Sequence, residues 1–412
     1  MDSRTLNNFG AMPAPTWHRL RMNDASVEIP AGLEPSHVYT VELETTATGP
    51  WGFDDAMAAA QIEWNEAHEG YSYAGNLSDE QAEKLGGTAL SEYQKTLDEH
   101  ERTNSLSAMF RMGLGGPATR FLHETADPVR TISVKEGATA KLAVRLDGID
   151  GRANAAALDV VAGSGSTVDV VVTVDSPEEG TGVTGTTIRV FAGVDSTVTI
   201  TRVQTLDDSW IDLDDMGLFL NHGAQVEVRQ TVLGAGKTFT GLAGDLRGDG
   251  AAADVVTRYL GHGTQELDFN YVLRHHGKKT TCNLYANGVL AGTSAKTLRG
   301  TIDLVRGAKG AEGKETDTVL LVDDGVRNKT VPTILCNEDD VMGNHGATIG
   351  HIRAEQLFYL ESRGLSKKQA EDMFVSAALE EALIEAPDEP TRKAVERLGC
   401  KLVDNFEEVC GE

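Results

Sequence analysis

The chain has 412 residues, 40% of them hydrophobic and 24% charged, with 44 glycines; this is the composition of a folded, turn-rich protein rather than of disorder or collagen, and the length allows two or three structural units. Lys+Arg 37 against Asp+Glu 63 gives a formal net charge of −26, which repels a phosphate backbone and sets nucleic-acid binding aside. No basic-then-apolar leader opens the sequence and no apolar run approaches the ~18 residues of a membrane span, so a soluble, cytoplasmic chain without membrane contact is expected.

Residues 1–126 read as an irregular and then helical region. Ala, Met, Ile and Trp recur at helical spacings over 54–68, Ser78 and Gln81 have the spacing of a capping box, Gly86 and Gly87 form a stop, and 88–111 reads as a further helix. From Pro128 the texture changes to short β-branched runs, at 168–174, 186–190, 197–203 and 225–232, separated by Gly, Asp, Asn and Ser. A two-residue turn element precedes such strands at Gly137-Ala138, Gly165-Ser166, Asp195-Ser196, Gly223-Ala224, Gly250-Ala251 and Gly277-Lys278, at separations of 27 to 30 residues. Strands repeating at that period are what the stacked coils of a solenoid produce. A parallel β-helix over 127–350 is therefore expected, ahead of a β-sandwich with evenly spaced hairpins.

After Gly350 a helical region, 351–412, is expected. One helix spans 354–362 and stops at Gly364; a second starts at the capping box Ser366/Gln369 and ends by Pro387. Ala370, Met373, Phe374, Ala377 and Ile384 form one apolar stripe on it. Packing of that stripe on the last coil is the simpler reading, and docking of another subunit the functional one.

Little in the chain reads as catalytic machinery. Gly234-Ala235-Gly236-Lys237-Thr238 imitates a phosphate loop, yet Thr231 stands where the motif needs Gly and the following residues continue as a strand. There is no H-E-x-x-H and no G-x-S-x-G. The pairs Asp214-Asp215, Asp323-Asp324 and Asp339-Asp340 would face opposite sides of a strand, so turn chemistry and surface charge are the expected roles. Acid–base cleavage of a polysaccharide on the solenoid is the alternative. Of the four cysteines, Cys282, Cys336, Cys400 and Cys410, none form a C-x-x-C pair, and reduced thiols are expected. The tetrapeptide N-H-G-A occurs at Asn221–Ala224 and again at Asn344–Ala347. His222 reads as part of a turn. His345 follows Cys336 by nine residues, so a thiolate and an imidazole, both good soft-metal ligands, fall on adjacent segments.

The run from Cys336 through Asp339-Asp340-Val341 to Asn344-His345-Gly346-Ala347-Thr348-Ile349-Gly350, followed by Gln356-Leu357-Phe358-Tyr359-Leu360-Glu361-Ser362-Arg363-Gly364, resembles the signature of the SufB/SufD family of the SUF iron–sulfur cluster assembly system. Lys329-Thr330-Val331-Pro332 agrees with it, whereas 1–126 carry no such signal. The resemblance implies a right-handed parallel β-helix flanked by helical regions. It also implies a scaffold without turnover of its own, pairing with a SufB-like subunit through its β-helix end and holding a SufC-like ATPase on its C-terminal helices. In the family the histidine of the H-G-A-T motif, here His345, is implicated in nascent cluster assembly, with Cys336 as the nearest thiol; Phe358, Met373, Phe374 and Ala377 are the candidate ATPase dock. The family's SufB subunit carries an essential cysteine where this chain has Asp317, and Gly343 stands where SufD commonly has Cys. A SufD-like scaffold is thus expected, holding no cluster stably alone and seeing iron or a transient cluster at the shared edge, with a homodimer as one state open to the isolated chain. A SufB-like paralogue or a free-standing β-solenoid is the alternative.

Overall fold

The computed structural model describes residues 3–14, 22–67, 106–404 and 406. The N-terminal part holds β1 (Arg4–Phe9), β2 (Ala25–Ile29), β3 (Glu34–Ser36), β4 (Thr40–Thr45), α1 (Phe53–Ala67), α2 (Leu106–Met109) and α3 (Gly116–Ala126). Helix α1 falls where 54–68 reads as helical; the capping box at Ser78, the glycine stop and most of 88–111 lie outside the described residues, as does Cys410. The four strands β1–β4 carry no periodicity long enough to be read from sequence.

Sixteen strands follow. They are β5 (Arg130–Val134), β6 (Thr139–Asp147), β7 (Arg152–Ala162), β8 (Thr167–Asp175), β9 (Gly182–Ala192), β10 (Thr197–Gln204), β11 (Trp210–Leu220) and β12 (Gln225–Val232). Then come β13 (Lys237–Leu246), β14 (Ala252–Gly261), β15 (Glu266–His275), β16 (Thr281–Leu290), β17 (Ala295–Leu304), β18 (Ala311–Leu321), β19 (Arg327–Cys336) and β20 (Val341–His351). Odd-numbered strands from β7 to β19 stack in one sheet and even-numbered strands from β6 to β20 in a second, each strand hydrogen-bonded in parallel to the one two places on. This is a β-solenoid of about 8 turns. Parallel pairing excludes the hairpin sandwich, whose neighbours are antiparallel. Helices α4 (Ala354–Ser362), α5 (Lys367–Ile384) and α6 (Glu389–Leu402) close the described chain.

The repeat comes from the corners. Gly137, Gly165, Asp195, Gly223 and Gly250 all have positive φ, and the residue after each donates its N–H three residues back, as Ala138 does to Lys135 and Ser166 to Gly163, both at 3.0 Å. A turn of this kind needs the left-handed conformation at its third position, which glycine adopts without steric cost. The sixth corner corrects the sequence reading: it is Lys279-Thr280 rather than Gly277-Lys278, with Lys279 at φ 54 directly ahead of β16. Gly277 instead lies against the backbone of Gly248, where a Cβ would come within 2.2 Å of a carbonyl oxygen.

Between corners, alternate side chains point inward and stack coil on coil. One column reads Leu142, Val170, Ile200, Val228, Val255 and Leu284 through the strands β6 to β16, all buried in a single core. The outer face of the odd-numbered sheet is covered by the N-terminal part. Gly113 and Gly241 let the chain lie directly on the sheet, since a Cβ on either would collide with backbone of the other segment. Asp215, wholly buried, accepts from the Leu114 N–H at 2.7 Å and the Thr119 hydroxyl at 2.5 Å; burial pushes its carboxyl up to about 7.

Two expectations about charge and packing are overturned. Asp214-Asp215 is not surface charge: the two do face opposite sides of β11, but Asp215 anchors the N-terminal part and Asp214 points into the solenoid, 3.3 Å from Arg202 and 2.9 Å from Gln230. Asp323 does serve a turn, accepting the Gly292 N–H at 2.6 Å, and Asp339 and Asp340 are exposed. The apolar stripe on α5 is also rotated from the expected one. Its buried face is Ala370, Val375, Leu379, Ala382 and Leu383, packed on α6 and on Leu233 and Leu260 of the middle coils, not on the last coil. Arg258 clamps it through Glu381 at 2.7 Å and Glu385 at 2.9 Å.

Candidate functional site

The solenoid ends on two strands that are each paired on one side only, β19 on β17 and β20 on β18. Every residue of β20 from Met342 to Ile349 is exposed. Its sequence, Val-Met-Gly-Asn-His-Gly-Ala-Thr-Ile-Gly-His, contains no Asp, Glu, Lys or Arg, although 24% of the chain is charged. Free edge strands are ordinarily defended by charge, and this one is not.

His345 sits in the middle of this edge. The first N-H-G-A copy is a turn, with Gly223 at φ 63, as expected for His222. The second copy is extended, because its residues pair in register with Lys314–Asp317 of β18. His345 is thereby placed over Glu315, on the inward side of its strand. The column that is apolar for six coils thus continues as Glu315 and then His345. Cys336 is the last residue of β19, in register with Leu304, and is exposed; its thiol donates to the Glu338 carbonyl at 3.3 Å. No hydrogen bond joins Cys336 and His345: the imidazole lies four residues beyond Val341, about 13 Å along the strand. Among the described residues no group of three or more His, Cys, Asp and Glu is arranged to hold a metal ion.

Beneath the edge lies a buried polar cluster. Asp317 accepts from Lys296 Nζ at 2.5 Å and from the Thr330 hydroxyl at 2.6 Å, and both members of the ion pair are fully buried. Burial lowers the Lys296 pKa while Asp317 holds it up. Glu315 is buried beside them. Asp317 was marked by its place in the motif, but Glu315 and Lys296 were not: in Ala-Glu-Gly-Lys-Glu-Thr-Asp-Thr-Val charges fall on both strand faces, and only the register shows which point inward. A second buried chain runs deeper, from Asp212 and Asp214 through Arg202 and Gln230 to the Tyr271 hydroxyl. Gly234, Ala235 and Gly236 spend their N–H groups on Gln204, Leu206 and Trp210, leaving none for a phosphate. The Cys282 thiol and His275 Nε2 share a hydrogen bond inside the core at 3.1 Å; burial pushes the thiol up to about 12 and the imidazole down to about 4, so both are neutral.

The candidate docking residues lie on the helices beyond the edge. Helix α4 buries none of its residues, and Phe358 is 72% exposed. Met373 and Ala377 are exposed on α5, while half-buried Phe374 lines a groove of about 390 Å³ with Val289, Leu320, Thr348 and His351. Among the described residues no helix is long and apolar enough to cross a membrane.

Residues 144–378, more than half of the chain, match the family model described as "SUF system FeS cluster assembly, SufBD core domain". The chain is similar to the iron–sulfur cluster assembly protein SufD of Bacillus subtilis, at 27% identity over 206 residues, which cover 50% of this chain and 47% of that protein. It is also similar to a SufBD family protein of Synechocystis, at 28% over 45% of this chain and 39% of that protein, and to one of Mycobacterium leprae, at 30% over 47% and 22%. The matches thus span less than half the length of these relatives. The chain belongs to the SufBD family of the SUF iron–sulfur cluster assembly system.

Proposed function

We propose that the chain is a SufD-like scaffold subunit that pairs through β20 with a SufB-like subunit and holds a SufC-like ATPase on α4 and α5. The observation that carries the reading is the uncharged, one-sidedly paired edge strand with His345 at its centre. Iron and sulfide are cargo at this edge. An imidazole exchanges more readily than a full set of thiolates, which suits a cluster that must leave. Asp317 supports a SufD-like over a SufB-like role, because the position at which the family resemblance puts the essential cysteine of SufB is here a carboxylate committed to Lys296. The exposed thiol of Cys336 is the feature that favours the SufB-like alternative. ATP hydrolysis on the helices would shift the edge through α5, which reaches both the groove at Thr348 and His351 and the clamp at Arg258.

The test is co-expression with a SufC-like ATPase and a SufB-like protein, read by size-exclusion chromatography with mass analysis. A ternary complex that loses only the ATPase in Met373→Glu/Phe374→Glu is expected, and a chain that runs alone at every ratio sinks the reading. In a reconstituted system His345→Ala should abolish cluster assembly while leaving the melting temperature unchanged; full-rate assembly would remove His345 from the site.

A further inference from the structure

The two terminal strands present their free edges differently. In a parallel ladder alternate residues turn both backbone groups to the same neighbour. On β19 the N–H groups of Arg327 and Asn337 donate to the carbonyls of Ser294 and Leu304, and the pairing with β17 runs from Arg327 to Cys336 without a bulge. Odd-numbered residues of β19 thus face β17 and even-numbered ones face the open edge. Pro332 falls at an open-edge position, where it has no N–H to give and its ring stands in the path of an approaching strand. On the coil below, Glu312 and Val322 donate to Thr280 and Leu290, which leaves the odd-numbered residues of β18 to β20, and the even-numbered residues of β20 answer them. Gly343, His345, Ala347 and Ile349 therefore turn N–H and C=O to the open edge in an unbroken row. β19 also carries Arg327 and Lys329, whereas β20 carries no charge. One edge is defended against pairing and the other invites it.

The break in β19 lies opposite His345. One coil down, the Glu315 side chain reaches across the interior to Gly300, and the stack sets His345 over Glu315 and Pro332 over Gly300. We propose that a strand of the SufB-like subunit adds to β20 alone, on the backbone of Gly343, His345, Ala347 and Ile349, and that Pro332 holds the facing side of the joint open as a portal through which hydrated iron(II) and hydrosulfide reach the His345 imidazole. The inference rests on the scaffold reading above. Strand addition supplies register and affinity through the main chain, and a portal is required because the strand that carries the imidazole is itself covered by the joint.

The experiment is hydrogen exchange on the complex with a SufB-like subunit, in wild type and Pro332→Ala, with carbethoxylation of His345 by diethyl pyrocarbonate as a second readout. Pairing is expected to slow the amides of Gly343, His345, Ala347 and Ile349 by about tenfold or more, while those of Thr330 and Ile334 exchange as in the free chain and His345 stays reactive. Pro332→Ala restores the missing donor, so the slowing is expected to spread to Thr330 and Ile334 and the reactivity of His345 to be lost. Slowing of Thr330 and Ile334 in the wild-type complex, or none in the Pro332→Ala complex, overturns the proposal and leaves the pairing through β20 standing. A His345 equally reactive in both complexes does the same. A chain that forms no complex with the SufB-like subunit removes the scaffold reading and this proposal together.

Discussion

The two ends of the solenoid are built to opposite rules. At the N-terminal end β4 runs antiparallel to β6 and carries exposed Glu42 and Glu44, while Tyr39, Val41 and Ala47 pack over the core. At the C-terminal end β19 and β20 keep the parallel direction of the stack, carry exposed Met342 and Ile349, and sit over an interior in which the Lys296–Asp317 pair and Glu315 interrupt the apolar core. The difference teaches that the last coil is unfinished as a core and finished as a surface. In the column that starts at Leu142, the carboxylate and the imidazole fall on the two even-numbered strands nearest the open edge.

The comparison can be broken most severely at the edge itself. Ile349→Asp should weaken binding of a SufB-like partner by at least about 100-fold, and Leu43→Asp on β4 by less than about threefold, measured by titration calorimetry; equal losses would mean that both ends pair. One coil in, Asp317→Ala leaves Lys296 buried without its counter-charge and should cost ~3–5 kcal/mol in chemical unfolding, whereas Asp340→Ala on the exposed connection should stay within about 0.5 kcal/mol. A smaller, pH-dependent effect belongs to Glu315. Its carboxyl is raised to about 7, above the unfolded value of about 4.3, so its contribution to stability is complete at acid pH and is lost as the pH rises to about 7. The melting temperature of wild type should therefore fall relative to Glu315→Gln between pH 5 and 8 and then level off; parallel curves would place the charge elsewhere. The least effect is kinetic: amides of β20 should exchange before those of β10 and β12, since the terminal coil has a neighbour on one side only.

Much of the middle of the molecule is legible in the sequence because the solenoid repeats one physical requirement. A left-handed corner followed by alternating β-branched residues recurs, and 225–232 coincides with β12 to the residue. The reading slips at Lys279 because a lysine can occupy that conformation without advertising it, while the nearby Gly277 serves a close backbone contact instead. Asp214 and Asp215 misled for a related reason: adjacent carboxylates look like surface, and only the partners, Arg202 on one side and Thr119 on the other, show that both are buried. On α5 the apolar residues outnumber one face, so Met373 and Ala377 competed with Val375 and Leu379, and the choice was made by α6 and by Leu233 and Leu260, which no local pattern reveals. The position of His345 was legible through the motif. Its placement over Glu315 was not, because register between strands thirty residues apart is a property of the stack.

The reversed direction of β4 has a consequence for assembly as a whole. A stack of parallel coils with two alike ends could add copies head to tail without limit, as filaments do. Here a strand arriving at the even-numbered sheet of the first coil meets antiparallel β4 with its exposed Glu42 and Glu44, while the odd-numbered sheet ends on the three-residue β3. The two ends are therefore unlike surfaces, and the reversed strand works against head-to-tail growth of the stack.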